Sequence, residues 1–179
     1  MKKIIFVVIV IIISIFMYVS VNADVDDIVI PNAAIRVRVI ANSNSLRDQS
    51  MKMKVKEYIE KEVASKLLSV DDISDARNII SDEVSMLNSG IQNIFDSNDY
   101  NMNYVVRFGD NYFPDKEYKG VHYKAGEYES LVVVIGDGNG DNWWCVLFPP
   151  LCLLEGEDND VNDVEYAFFV QKFLDKVFG

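Results

Sequence analysis

The first feature that limits what this chain can become is an almost unbroken apolar run from Ile4 to Val21, broken only by Ser14 and Ser20 and preceded by Lys2 and Lys3. A cationic start, an apolar stretch and a small-residue end at Val21-Asn22-Ala23 are the three parts of a secretory leader. Cleavage is expected after Ala23. The run is also about 18 residues long, the lower limit for spanning a bilayer core, so residues 1–23 read either as a cleaved signal peptide or as a retained N-terminal membrane anchor. Both readings place residues 24–179 outside the cytoplasm, because no later segment is long and apolar enough to span again.

Charge narrows the partners. Acids outnumber bases 28 to 17, and the net charge is −11. A nucleic-acid binder needs a basic face, and the only local cationic features are Arg36/Arg38 and the cluster Lys52, Lys54 and Lys56. Nucleic acid is therefore not an expected partner, and contact with the membrane is expected only through the N-terminal segment.

After an acidic linker over 24–34, the chain reads as one domain, 35–179. Ile35, Val37 and Val39 alternate with Arg36 and Arg38, the period of a half-buried strand. Asn42-Ser43-Asn44-Ser45 ends it, and Ser45 with Asp48 resembles a capping box. Met51, Val55, Tyr58, Ile59, Val63 and Leu67 then recur at helical spacing over roughly 46–68. A second helix starts at Ser69/Asp72, with Ile73, Ile80, Val84, Leu87, Ile91 and Ile94 as its apolar stripe. The two are expected to form an antiparallel hairpin. Beyond Asn98, strands are expected at 103–108, 127–135 and 143–148, the last two as a hairpin joined by the glycine-rich stretch Gly136 to Asn142. A closing helix carries Val164, Ala167, Phe168, Leu174 and Phe178. The order β-α-α-β-β-β-α implies an α+β domain: a mainly antiparallel sheet with a long helical hairpin and a C-terminal helix on it.

Chemistry-bearing constellations are sparse. The Gly136–Gly140 stretch lacks the Gly-Lys-Ser/Thr of a phosphate loop and leads into a strand. Asp137, Asn139 and Asp141 match the opening slots of a calcium loop, but Asn142 and Phe148 occupy the glycine and glutamate slots. No metal and no cofactor are expected. His122 with Cys145 is a conceivable nucleophile pair, and Glu127 with Glu129 a conceivable carboxylate pair, but neither sits in a recognisable signature. In an exported chain Cys145 and Cys152 are candidates for a disulfide, since Pro149 and Pro150 impose a turn that can bring their Cα atoms within about 7 Å; the alternative is two buried thiols. Trp143 and Trp144, adjacent on a strand, point to opposite faces. One is expected in the core; the other is either covered or exposed as a recognition anchor.

Particular strings add a resemblance. Ile35-Arg36-Val37-Arg38-Val39-Ile40-Ala41-Asn42-Ser43-Asn44-Ser45, Asp48-Gln49, Lys54-Val55-Lys56, Ala125-Gly126-Glu127-Tyr128-Glu129-Ser130-Leu131 and Asn142-Trp143-Trp144-Cys145-Val146-Leu147-Phe148-Pro149-Pro150-Leu151-Cys152 resemble the stage II sporulation protein R family. Asn44 stands where an aspartate is expected, and Lys124 where a proline commonly precedes Ala-Gly. The resemblance implies a non-enzymatic signal of endospore formers, exported from the forespore into the space between its membrane and that of the mother cell. There it would activate a membrane-embedded aspartic protease, of the stage II sporulation protein GA type, that processes pro-sigma factor E. On this reading Arg36, Arg38, Asn142, Trp143 and Trp144 are the candidate partner-binding residues. The rival class is an exported hydrolase of cell wall or peptide, working through Glu127/Glu129 or Cys145/His122.

Overall fold

A computed structural model describes residues 28–29, 34–118 and 121–154, together with Lys172 and Asp175. The leader, its cleavage position at Ala23 and the closing helix expected from Val164 lie outside the described residues. No helix among the described residues is long and apolar enough to cross a membrane.

The central element is β2 (Ile35–Ile40). Its alternation works as the sequence implies: Ile35, Val37 and Val39 are fully buried against the helices, while Arg36 and Arg38 point the other way. Both its edges are occupied. The main sheet has the order β3-β6-β2-β7, with β3 at Tyr104–Phe113, β6 at Gly126–Ile135 and β7 at Asn142–Phe148. β2 runs parallel to β6 and antiparallel to β7, and β3 runs antiparallel to β6. As an inner strand, β6 carries the most continuous apolar run, with Leu131, Val132, Val133 and Ile135 all buried.

This order corrects one expectation. β6 and β7 are not a hairpin, because β2 lies between them. The glycine-rich connection instead passes over the end of β2, where Asn139 N–H donates to Asn42 O at 3.1 Å and Gly140 N–H to Ala41 O at 2.9 Å. Its glycines answer to close approach: a Cβ on Gly136, whose φ is +57°, would overlap the Asn42 side chain, and one on Gly140 would overlap the Ser43 carbonyl. β3 is also longer than expected. Gly109, Asp110 and Asn111 look like turn residues, yet β6 offers ten paired positions and holds them extended. Three short strands, β1 (Ile28–Val29), β4 (Lys116–Tyr118) and β5 (Val121–Tyr123), form a second sheet in the order β1-β5-β4, so pairing begins inside the expected linker.

The helical hairpin covers one face of the main sheet. α1 (Leu46–Ile59) is capped by Ser45 and continues through a π-helical turn, Glu60–Ala64, to Leu67. Its buried residues Met51, Val55, Ile59, Val63 and Leu67 recur at every fourth position. On a helix of 3.6 residues per turn such a stripe drifts by about 40° per step; the wider π turn resets the drift and keeps Val63 and Leu67 on the core. α2 (Ile73–Asp96), capped by the Asp72 carboxylate accepting Ser74 N–H at 2.7 Å, buries Ala76, Ile80, Leu87, Ile91 and Phe95. Its stripe is therefore intramolecular core.

The cysteines follow the second of the two readings open to them. Cys145, on the helix-facing side of β7, and Cys152, in a 3-10 turn over Leu151–Leu154, are buried thiols not joined by a disulfide. Both S–H groups are directed at the Val146 carbonyl, at 3.6 and 3.1 Å. The Phe148–Pro149 peptide between them is cis.

Candidate functional site

The helix-free face of the main sheet collects most of the residues singled out above. Arg36, Arg38, Trp144 and Asn142 share it, because β2 and β7 pair with Arg36 opposite Val146, Arg38 opposite Trp144 and Ile40 opposite Asn142. Trp143 does not join them. It points to the helices, packs at the edge of the core and has the Lys56 ammonium 5.5 Å from its ring centre. Both indoles are half-buried, so the expected division into one core and one covered or exposed ring is less sharp than the alternation alone implies.

Arginine on this face is held by aromatic rings. The Arg36 guanidinium lies 3.3 Å from the Tyr128 ring centre and 5.4 Å from that of Phe113, and the group is almost wholly buried. Arg38 stacks on Trp144 at 4.5 Å, and Trp144 meets Phe113 edge-on at 5.1 Å. Lys116 approaches the same indole at 5.6 Å. Such contacts contribute roughly 0.5–2 kcal/mol each, more where water is excluded. A ring face stabilises charge without accepting a conventional hydrogen bond. Among the described residues, Arg38 Nε and Asn142 Oδ1 are buried atoms with no hydrogen-bond partner. Burial holds the Arg38 guanidinium below its ordinary pKa, and an arginine so placed is still a cation at neutral pH.

The end of this face is fixed by a network that the sequence only partly signals. Asp48 does not close a capping box; Ser45 N–H turns back to Ser43 Oγ at 3.1 Å. The Asp48 carboxylate instead sits buried and accepts from Asn42 Nδ2 at 2.9 Å, Ser43 Oγ at 2.6 Å and Tyr100 OH at 2.6 Å. Burial alone would raise its pKa, but hydrogen bonds from Ser43, Tyr100, Asn42 and Ser45 together bring it to about 2. The Tyr100 phenol is pushed above its ordinary value by burial and by that carboxylate. Asn42 and Asn44 then accept the N–H groups of Asp137 and Asp141 at 3.1 and 2.6 Å. Lys52, nearly buried, donates to the Asp141 carbonyl at 3.2 Å. The backbone donors of the glycine-rich loop are thereby used to seal it on the strand end, one residue before Asn142.

Glu129 is held by Arg77 through two bonds of 2.6 and 2.7 Å, and Glu127 lies exposed on the same face of β6. Cys145 is in the core, and the His122 side chain lies outside the described residues. No group of three or more His, Cys, Asp or Glu that could hold a metal occurs among the described residues.

Comparison with known proteins decides the family. A family model described as stage II sporulation protein R matches residues 31–158. The chain belongs to this family. It is 38% identical over 128 residues to stage II sporulation protein R of Bacillus subtilis (strain 168), a match that covers 72% of this chain and 57% of the relative. The chain thus matches little more than half the length of that relative. No solved structure matches it. The stage II sporulation protein R match contains both the arginine-aromatic face and the Asp48 network, and it places the chain in sporulation.

Proposed function

We propose that the chain is an exported intercellular signal of sporulation that activates a membrane-embedded aspartic protease and so triggers processing of pro-sigma factor E. The observation that carries this reading is the match to stage II sporulation protein R across residues 31–158. The leader supports export into the space between forespore and mother-cell membranes, with residues 24–179 free to meet extracytoplasmic loops of the protease. On this reading the chemistry belongs to the partner, in keeping with Glu129 being engaged by Arg77 and Cys145 lying in the core. On this account the domain presents the Gly136–Trp144 end and the Arg36/Arg38 strand. It acts by binding the active, dimeric form of the protease more tightly than the inactive one, since only differential affinity shifts such an equilibrium.

The test is co-expression in a non-sporulating host with the protease and pro-sigma factor E, scoring cleavage by gel shift. Cleavage should require this chain with its leader, and should survive His122→Ala and the double change Glu127→Gln/Glu129→Gln. Cleavage independent of the chain, or abolished by the carboxylate variants without loss of folded protein, would contradict the proposal and favour a hydrolase.

A further inference from the structure

Charge is segregated across the main sheet. Among its described strand residues, Arg36, Arg38 and Arg107 all project from the helix-free face, whereas Asp110, Glu127 and Glu129 all project from the helix-facing side. In a chain with 28 acids against 17 bases, a face with only cations has to be built residue by residue. The pairing register sets those cations in rows. One row crosses the four strands as Arg107, Val132, Arg38 and Trp144; the next runs Val105, Val134, Ile40 and Asn142. Neighbouring strands are about 4.8 Å apart, so the two arginines are roughly 10 Å apart. The end of the face around Arg36, Phe113 and Tyr128 is buried, but Arg107 and Val105 are exposed and Arg38, Ile40 and Val134 are half-exposed.

We propose that this part of the face is the docking surface for an acidic polypeptide segment of the partner, one carboxylate on Arg38, a second about 10 Å away on Arg107, and an apolar side chain over Val105, Val134 and Ile40. The inference rests on the activator reading and adds to it the chemistry of the contact and a residue, Arg107. Charge complementarity selects the occupant. An anionic bilayer also offers negative charge, but the net charge of −11 opposes adhesion of the chain to a negative surface. Two carboxylates seven residues apart on a helix span about 10.5 Å, which fits the arginine spacing.

The experiment uses the full chain in non-ionic micelles and a helix-forming peptide with two glutamates seven positions apart and leucines between them. Its binding is followed by tryptophan fluorescence, beside the glutamine version of the same peptide and phosphatidylglycerol vesicles. The glutamate peptide should bind, with affinity falling as salt is raised. The glutamine peptide should bind at least about tenfold more weakly, and Arg107→Gln should weaken the glutamate peptide by a similar factor. Arg38→Gln should do the same while the protein stays folded, its melting temperature lowered by no more than several degrees, and Lys61→Gln, on a remote exposed lysine, should change nothing. Because Arg107 is exposed, its variant remains informative should Arg38→Gln fail to fold. No binding of the glutamate peptide, equal binding of both peptides, or binding to the vesicles alone would overturn the proposal. Peptide binding that depends on the arginines, with pro-sigma factor E cleavage independent of the chain, would keep the acidic-segment site and remove the activator reading. Cleavage that needs the chain, with peptide binding indifferent to Arg107→Gln, would remove the site and keep the activator.

Discussion

Asp48 and Arg38 are both charged groups drawn out of water, and the protein completes one and leaves the other incomplete. Around Asp48, three side-chain donors converge on the two carboxylate oxygens, and the resulting pKa of about 2 records how fully the charge is compensated. Around Arg38 the compensation is a ring face, with one guanidinium N–H left without a hydrogen-bond partner among the described residues. A saturated buried charge fixes a fold; a half-exposed cation on a ring face keeps a positive potential toward solvent, the property the docking proposal uses. The two are joined mechanically, since the loop that Asn42 and Asn44 hold down leads directly into Asn142 and Trp144. The difference separates what shapes this molecule from what it presents.

The sharpest way to break that contrast is Asp48→Ala. It strands the donors of Asn42, Ser43 and Tyr100 and should cost on the order of 3 kcal/mol in urea unfolding. The same carboxylate sets an acid limit. Its folded-state pKa lies below the ordinary 3.8, so its contribution is complete above about pH 4 and is lost as the pH falls through about 2. Unfolding midpoints measured from pH 6 to pH 2 should show this loss in wild type and not in Asp48→Asn. Next comes Gly136→Ala, which meets both a left-handed φ and the Asn42 side chain and should cost about 2 kcal/mol. Arg77→Ala, removing an exposed partner of Glu129, should cost no more than about 1 kcal/mol. Arg38→Gln gives up the stacking on Trp144 and should cost about 0.5–2 kcal/mol, and smallest is Arg107→Gln, on an exposed side chain, expected within roughly 0.5 kcal/mol of wild type by thermal melting; the effect of both should appear chiefly in signalling. An Arg38 variant as damaging to folding as Asp48→Ala would erase the distinction.

Local signals carried much of this fold. The alternation at Ile35 to Val39, the Ser45 and Asp72 caps and the stripe Ile73 to Ile94 are each written within a few residues, and each element formed where those signals place it. What escaped depends on distant partners. A glycine-rich stretch between two strands reads as a hairpin until β2 is known to lie between them, and nothing near Gly136 reveals that its neighbour is Asn42. Asp48 reads as a cap partner because Tyr100, which donates to its carboxylate at 2.6 Å, is 52 residues away. On the candidate face, the sequence supplied Arg36, Arg38, Asn142 and Trp144, and the alternation of the tryptophans sent Trp143 to the other side. Arg107 was missed although it carried a signal of the same kind as Arg38: a single cation among apolar residues on a strand. Its membership in the row needed the register of β3 on β6.

The most direct test of the central claim sets melting temperature beside pro-sigma factor E cleavage for the Arg38→Gln/Arg107→Gln double variant in the co-expression host. The account predicts a melting temperature within several degrees of wild type, as expected for a change of no more than about 2 kcal/mol, together with loss of cleavage. Full cleavage at an unchanged melting temperature would contradict it, because the cationic face would then be neither part of the fold nor part of the signal.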